Sequence, residues 1–300
     1  YGDHRDLHKE YRRQRQMCIR DSSTYSASHK DPLTLQNIIE KDFKIIAEYM
    51  NDNKLFLNSD KTHLLIMSSA KAHSKKGDFG IKLNTGSEII EPTQTEKLLG
   101  ANMTNDFLWS NHLRDNKKSV ISILKTKNNA LSIISHYSAF LVRKMIANGT
   151  IIAHIMYHIQ LYGACTEELL TALQIQQNRA ARLVCKSPLR TKTETLLEQI
   201  GWMNVRQMVV YYSIWSLFKT RQTGLPKYVH DMISESFKHK TRLADSGGIR
   251  TSRIFKTRIG VTSFIPRTID LWNEMPEEIR QEKRPNLFSR KLRHWVKLKF

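Results

Sequence analysis

The sequence predicts an α+β chain that is mostly helical: a small sheet with one helix packed on it, followed by a series of amphipathic helices. Short alternating or apolar runs bounded by turn residues, which are typical of strands, cluster before residue 105. Apolar residues at three- and four-residue steps, which are typical of helices, dominate after it. The 300 residues are 40% apolar, which is enough to build sizeable cores.

Charge is distributed unevenly along the chain. The formal net charge is +20, but residues 31–105 hold nine basic and ten acidic residues. Residues 106–186 hold ten basic against four acidic residues, and residues 187–300 hold twenty-two against ten. Because such an excess attracts polyanions, the simplest partner is nucleic acid, and a merely soluble basic protein is the alternative.

Other features argue against several classes of protein. No apolar run reaches the roughly 18 residues that span a bilayer, and the charged N-terminus lacks the apolar segment of a signal peptide. Cys18, Cys165 and Cys185 are too few and too scattered for a disulfide framework or a zinc site, and His154 and His158 lack a third ligand. We therefore expect a reducing intracellular location, no membrane partner and no bound metal.

Residues 1–22 have no apolar periodicity and are predicted to be a disordered or artefactual leader. The run from Met17 to Ser22 resembles the translation of a transposon-end adapter that is used to prepare sequencing libraries. We therefore expect that an assembly artefact replaces authentic sequence here, and a genuine basic leader is the alternative.

The first folded region is predicted over residues 23–105. Ser23–Ser28 alternates weakly as a strand, and a helix follows over Pro32–Met50 with Asp31 placed to cap it. Lys54–Met67 indicates a helix end, a polar turn in which Asn58 caps backbone groups, and a short buried strand.

Three further strands are expected to complete a small antiparallel sheet. They are Phe79–Leu83, Glu88–Pro92 and Lys97–Met103, with Gly86 in a turn that favours positive φ. Gly100 falls within the last of these strands, where it would allow a backbone or a ligand to approach closely. A bulge in an ordinary hairpin is the alternative for Gly100.

Residues 106–186 are predicted to form four helices with apolar stripes. They are Asp106–Ile134, Ser138–Ala147, Thr150–Gly163 and a helix that begins at Thr166 and ends near Cys185. The cations outside the apolar stripes, which are candidates for phosphate contacts, are Arg114, Lys117, Lys118, Lys125, Lys127, Arg179 and Arg182. A solvated surface is the alternative interpretation of these side chains.

Residues 187–300 are predicted to be a basic helical region. Helices are expected over Thr193–Ile200 and Val205–Thr220, and Trp272 and Phe288 are expected to anchor a small terminal helical module. Phe237–Ile259 has few apolar and many basic residues, among them the candidate nucleic-acid contacts Arg253 and Arg258. We expect this segment to be mobile alone and to order on nucleic acid.

Four motifs together resemble one protein family. They are the L-x-L-N-x-x-K-T segment at Leu55–Thr62, the K-x-L-G segment at Lys97–Gly100, the L-x-x-L-Q-x-x-Q-N-R-A-A-R-L-V segment at Leu170–Val184, and F-x-x-R-x-x-x-L-W-N-x-x-P-x-x-I-R at Phe264–Arg280. This order resembles the end of the palm, the thumb and the C-terminal region of reverse transcriptases from non-LTR, LINE-type (jockey/CR1-like) retrotransposons. The resemblance covers about Ser23 to Phe300.

The resemblance implies a role for each motif. It places Lys61 near the pyrophosphate that leaves the incoming nucleotide, and it places Lys97 and Gly100 in the hairpin that grips the primer. It also implies an aromatic-x-Asp-Asp strand just before Ser22, where paired aspartates hold two Mg²⁺ ions in the intact parent enzyme. Only Asp21 falls on a matching position, as a doubtful remnant, and Arg20 stands where the first aspartate is expected. We therefore expect no cofactor and no polymerisation for this chain.

The resemblance divides the chain into a leader (1–22), a truncated palm (23–105), a helical thumb (106–186) and a basic C-terminal region (187–300). It implies a fragment of an RNA-directed DNA polymerase of a mobile element, found in cytoplasm and nucleus, that keeps surfaces for RNA and RNA–DNA hybrid. It implies no small-molecule substrate for this fragment. The alternatives are a non-enzymatic nucleic-acid-binding or protein-interaction module derived from a retroelement, and the product of a pseudogene.

Overall fold

The computed structural model describes residues 15–19, 22–55, 57–69, 79–85, 88–234, 247–250 and 257–300. Its strands are β1 (Arg15–Ile19), β2 (Ser22–Ser26), β3 (Leu64–Leu65), β4 (Leu83–Asn84), β5 (Ile89–Ile90), β6 (Pro92–Thr93), β7 (Thr95–Leu98) and β8 (Ala101–Thr104). The predicted class, α+β and mostly helical, is confirmed.

The helices follow in chain order, one before the short strands and the others after them. They are α1 (Pro32–Asp52), α2 (Val120–Ser135), α3 (Phe140–Ala147), α4 (Ala153–Met156), α5 (Glu167–Cys185), α6 (Thr193–Ile200), α7 (Val205–Thr223), α8 (Lys227–Ser234), α9 (Arg258–Thr262), α10 (Phe264–Asn273), α11 (Glu277–Arg280) and α12 (Pro285–Lys299). The chain divides into two compact units between Phe107 and Leu108, and each unit is described by itself.

The first unit opens with an antiparallel hairpin. Strands β1 and β2 pair from Arg15 opposite Ser26 to Ile19 opposite Ser22, so part of the predicted leader belongs to a strand. The rest of that leader, residues 1–14 and 20–21, lies outside the described residues, and Asp21 lies there too.

Helix α1 follows the hairpin and is hydrogen-bonded to the backbone next to β4. The predicted cap is confirmed, because the Asp31 carboxylate accepts the backbone N–H of Thr34 at 2.8 Å. No side chain of α1 is fully buried. Instead, the Gln36 amide donates to the Lys82 carbonyl at 2.7 Å and accepts the Lys82 N–H at 3.0 Å, which satisfies backbone groups next to β4.

The prediction that these strands form one small antiparallel sheet is wrong. The described strands form four separate pairs, and one of them, β3 with β6, is parallel. The turn predicted around Gly86 lies outside the described residues.

The predicted strand Lys97–Met103 is a hairpin, since β7 and β8 pair antiparallel around Leu99 and Gly100. Both of these residues have positive φ, +49° and +85°, as a two-residue hairpin turn of the I′ type requires. Gly100 therefore serves the turn and does not lie within a strand.

The second unit has a continuous apolar core. Side chains that are fully buried come from nearly every helix of the unit, including Leu124 of α2, Leu173 of α5, Ile214 of α7 and Phe288 of α12. The core therefore runs across the boundary predicted at residues 186/187. Trp272 and Phe288 are both buried completely with ring centroids 5.7 Å apart, so the predicted anchors are confirmed, but they pack into the common core.

Two of the predicted helices are interrupted. The long helix expected over Asp106–Ile134 is a π-helical turn at Asn111–Asp115 and then α2, which Ser119 caps through a bond from the Ser122 N–H. Between them the Asn116 side chain accepts the Lys118 N–H at 2.9 Å, a local bond that competes with helical pairing. The helix expected over Thr150–Gly163 is likewise α4 flanked by a π-helical and a 3₁₀ turn.

Other helices agree closely with the sequence. Helix α6 has the predicted bounds and ends where Gly201 takes φ +75°, as the C-terminal position requires. Helix α5 has the predicted extent, although the Thr166 side chain makes no capping hydrogen bond. Most of Phe237–Ile259 lies outside the described residues, so the prediction that this segment is mobile stays a prediction.

Candidate nucleic-acid interface

Helices α2 and α5 bring together cations that are about 50 residues apart in sequence. The two helices run parallel, since Asn128 bonds to the Gln176 carbonyl at 3.1 Å and, further along both, Lys186 bonds to the His136 carbonyl at 3.5 Å. Each helix turns its apolar stripe to the core of the second unit. The polar residues beside their contact line therefore share one surface.

The centre of that surface holds Lys125, Arg179 and Arg182. Arg179 donates from Nη2 to the Asn129 side-chain oxygen at 2.8 Å, and Lys125 lies one helical turn before Asn129. Lys125, Arg179 and Lys186 are exposed, whereas Arg182 is half-buried. We call Lys125, Asn129, Arg179, Arg182 and Lys186 the α2–α5 seam.

The stretches of sequence that contain the seam are poor in acidic residues. No Asp or Glu occurs between Asp115 and Glu167 or between Glu168 and Glu194. The stretches that form the body of both helices therefore supply no carboxylate that would neutralise the seam. The Nε of Arg182 is buried and has no hydrogen-bond partner within the part of the chain that the structure describes.

The cations predicted before α2 divide into two kinds. Arg114 bonds to the carboxylates of Glu168 and Asp115, and the hydrogen bond with Glu168 is the main reason that the pKa of Arg114 is raised. Its charge is therefore compensated. Lys117 and Lys118 are exposed in the loop that leads to Ser119, so they add positive charge just before the first turn of α2.

Lys127 does not belong to the exposed set. Its ammonium donates to the Thr150 carbonyl at 2.8 Å, and burial lowers its pKa. The lysine links α2 to the π-helical turn that starts at Asn148, and its predicted contact with phosphate stays a prediction.

The candidates in the first unit are exposed and lie on separate short elements. Lys61 ends a 3₁₀ turn that Asn58 caps by accepting the Lys61 N–H at 3.2 Å, which confirms the predicted role of Asn58. Lys97 is an exposed residue of β7, opposite Asn102. Next to these lysines in sequence, the His63 ring and the Glu96 carboxylate approach to 3.6 Å.

Three other predicted residues are not described at the level of their side chains. Arg253 and Asp21 lie outside the described residues. Arg258 begins α9, and only its backbone is described. Their predicted roles stay predictions.

Two further cations, neither of which was predicted to contact phosphate, point inward. Arg143 is 5% exposed and donates from Nε to the Val184 carbonyl at 2.8 Å, as well as to the Ser138 carbonyl. Arg267 donates to the Gln160 carbonyl at 2.7 Å, and burial lowers its pKa to about 10. The formal charge of +20 therefore overstates the positive charge on the surface. Of these two arginines, only Arg267 belongs to a motif noted in the sequence, the one at Phe264–Arg280.

Metal-ligand chemistry is sparse in the described residues. They contain no group of three or more His, Cys, Asp or Glu that would hold an ion. His154 lies beside Lys127, and burial, followed by that positive charge, lowers its pKa. Cys165 and Cys185 are free thiols, and burial raises the pKa of Cys165 to about 12 and also raises that of Cys185. Neither thiol is therefore activated as a nucleophile.

Comparison with known proteins gives no relative for this chain: no family model, no curated protein and no solved structure matches it. Within the described part of the chain, none of the helices combines the length and the apolar character needed to cross a bilayer.

Proposed function

We propose that this chain is part of an RNA-directed DNA polymerase of a LINE-type mobile element, and that its helical unit holds the primer–template duplex through phosphate contacts. In this proposal residues 23–105 correspond to the end of a palm, residues 106–186 to a thumb and residues 187–300 to a basic C-terminal region. The observation that carries the proposal is the α2–α5 seam, a line of four cations with no carboxylate in the flanking stretches.

Such a seam favours the backbone of a duplex over its bases. Arg and Lys at neighbouring helical turns meet phosphates by charge and by guanidinium geometry, and those contacts fix position without reading sequence. An RNA–DNA hybrid has an A-like shape whose deep groove side chains do not read. We therefore expect binding that changes little with sequence and weakens steeply with salt.

Fluorescence anisotropy with a labelled RNA–DNA hybrid tests this between about 50 and 200 mM salt. The logarithm of the association constant should fall linearly with the logarithm of the salt concentration. Replacing Lys125 and Arg179 together by Gln should reduce the magnitude of that slope by about two, because each phosphate contact contributes roughly 0.9.

The matched control removes two exposed cations from α12, Arg290→Gln with Lys297→Gln. This pair gives the same net charge as the seam variant, so it should leave the slope near that of the parent chain. If both variants reduced the magnitude of the salt slope equally, overall charge, and not the seam, would govern binding. Primer extension by this chain with Mg²⁺ would contradict the expectation that the fragment lacks a complete metal-holding pair.

One observation favours a second candidate function, a protein-interaction module. Helix α3 exposes the apolar side chains of Leu141, Val142 and Met145, with the half-buried Lys144 beside them. Ile133 and Tyr137, which precede α3 in the sequence, are 70% and 93% exposed. Because the chain is strongly basic elsewhere, a second copy would meet least repulsion at this patch. Sedimentation velocity should then show a dimer that Leu141→Gln with Met145→Gln dissociates, and a monomer at all concentrations would remove this candidate.

A further inference from the structure

Two aromatic rings stand where the α2–α5 seam ends. Helix α2 ends at Ser135, and His136 and Tyr137 follow it directly, both with exposed side chains. The Lys186 ammonium, which is the last cation of the seam, lies 3.5 Å from the His136 carbonyl. The last charge of the seam and the two rings therefore meet at one turn of the chain.

The ring of Tyr137 is open to solvent. It is 93% exposed, the highest value for a large apolar or aromatic side chain in the part of the chain that the structure describes. The His136 ring approaches it edge to face, with ring centroids 6.4 Å apart and planes at 65°, and covers little of it. Because an aromatic ring in water forgoes the free energy of burial, a planar partner that covered it would be stabilised.

The backbone that carries this ring is fixed by hydrogen bonds on both sides. The Tyr137 N–H donates to the Ile134 carbonyl at 3.1 Å, and the Ser138 hydroxyl donates to the same carbonyl at 2.8 Å. From α3, the buried Arg143 donates to the Ser138 carbonyl and, at 2.8 Å, to the Val184 carbonyl. A tyrosine on a fixed turn has only its side-chain torsions left to order, so stacking on it costs little conformational entropy.

The chemistry of this turn matches a nucleotide. A flat base would cover the Tyr137 ring, and every base has a π-face that stacks on an aromatic side chain. The phosphate of the same nucleotide would meet the Lys186 ammonium, which keeps its charge because its partner at His136 is a neutral carbonyl. Bases inside a duplex are already stacked on one another, so the base that reaches the ring must be unpaired.

We infer that Tyr137 stacks on an unpaired base that adjoins the end of a duplex held by the α2–α5 seam. This inference rests on the proposed function, because the seam must hold the duplex, and it specifies the substrate as a duplex with a single-stranded overhang. The competing occupant of the ring is a second copy of the chain, as considered for α3. Nucleic acid is favoured because Lys186 belongs to the seam and also contacts the turn that carries the ring.

Fluorescence anisotropy of the full chain tests this with a blunt RNA–DNA hybrid and with hybrids that carry a short overhang on each strand end in turn. For at least one end, the overhang should raise the affinity about fivefold or more, as expected for one base stacked on an aromatic side chain. An overhang of abasic residues has the same phosphates without the bases, so it should give no comparable gain.

Three variants separate the ring from the rest of the surface. Tyr137→Ala should remove the gain and leave the salt slope of the blunt hybrid unchanged, whereas Tyr137→Trp should keep the gain. Tyr49→Ala is the matched control, because it makes the same change at a tyrosine that is 65% exposed in the first unit, and it should also keep the gain. The thermal midpoint of each variant shows that the fold is intact.

The inference is overturned if no overhang raises the affinity, if the abasic overhang gives the same gain, or if Tyr137→Ala and Tyr49→Ala have the same effect. It is also overturned if Tyr137→Ala dissociates a dimer in sedimentation velocity and keeps the gain from the overhang, because the ring then belongs to a contact between copies. In all these cases a blunt hybrid that still binds with a steep salt slope leaves the proposed function standing. If the blunt hybrid does not bind, the proposed function fails and this inference fails with it.

Discussion

The two units differ in how their side chains are buried. In the first unit only Ile81, Leu83 and Ala101 are fully buried among the described residues, and most strands are two to four residues long. In the second unit a continuous core joins helices from α2 to α12. The first unit therefore relies on turns, caps and bridging hydrogen bonds, whereas the second relies on apolar packing, which contributes more free energy for each residue.

The largest effect should come from the aromatic centre of the second unit. Phe288 stacks on Phe218 with ring centroids 3.9 Å apart and is completely buried, so Phe288→Ala should lower the free energy of unfolding by about 3–5 kcal/mol. Leu298→Ala, on the same helix but 75% exposed, should change it by less than about 0.5 kcal/mol.

Urea unfolding followed by tryptophan fluorescence measures both variants. All five tryptophans, Trp109, Trp202, Trp215, Trp272 and Trp295, belong to the second unit, so the signal reports on that unit alone. If the two substitutions cost the same, the contrast between a packed core and its surface would not hold.

A smaller loss is expected where a buried cation crowds a glycine. A Cβ at Gly163 would lie 1.6 Å from Nη1 of Arg267, whose guanidinium is held by the Gln160 carbonyl. Gly163→Ala should therefore cost about 1–3 kcal/mol, because the arginine must leave its place. Gly149 is the matched control: a Cβ added there would have no neighbouring atom within 4 Å, and Gly149→Ala should be neutral or slightly stabilising in the same fluorescence experiment.

The sequence predicted the features that depend on local patterns. The bounds of α6 follow from its apolar spacing and from Gly201, and the Asp31 and Asn58 caps follow from side-chain chemistry within three residues. The short strands were predicted poorly, since two-residue pairs such as β3 with β6 carry no period and their partner is chosen by the rest of the unit.

The candidate interface was predicted in composition but not in arrangement. Lys125 and Lys127 lie two residues apart, yet one is exposed and the other donates to Thr150, whose position is set by a helix that comes later in the chain. Arg143 likewise donates to a carbonyl that is distant in sequence, that of Val184 near the end of α5. Long cationic side chains can bond to several partners, and the tertiary structure decides which of them is within reach. The spacing of residues in the sequence does not specify that partner.

In the first unit, removing one bridging side chain should lower the free energy of unfolding more than removing most of the apolar side chains. Gln36→Ala removes both bonds between α1 and Lys82, and we expect a loss of about 1 kcal/mol, because the bonds are exposed and water replaces part of them. Hydrogen exchange of the Lys82–Asn84 amides measures this loss. Asn37→Ala is the control, since Asn37 is the next residue of α1 and is exposed. Faster exchange in Asn37→Ala as well would show that the helix, not the bridge, was perturbed.

The smallest effect should be the pH dependence that Glu282 adds to the second unit. Hydrogen bonds from Arg284 and Lys291 lower the pKa of Glu282 to about 2, whereas the unfolded chain titrates near 4.5. Because the folded pKa is the lower one, the stabilisation is present above pH 4.5 and disappears as the pH falls from 4.5 towards 2. Glu282→Gln should therefore lower the urea midpoint at pH 7 and have progressively less effect on acidification.

Two further measurements separate the charge of Glu282 from its packing. The side chain of Arg284 is 74% exposed, so solvent screens its ion pair with Glu282 and added salt should weaken the effect of Glu282→Gln. A deficit that stayed constant from about pH 7 to about pH 3 would mean that Glu282 acts through packing and not through its charge, because protonation of the parent chain would then change nothing.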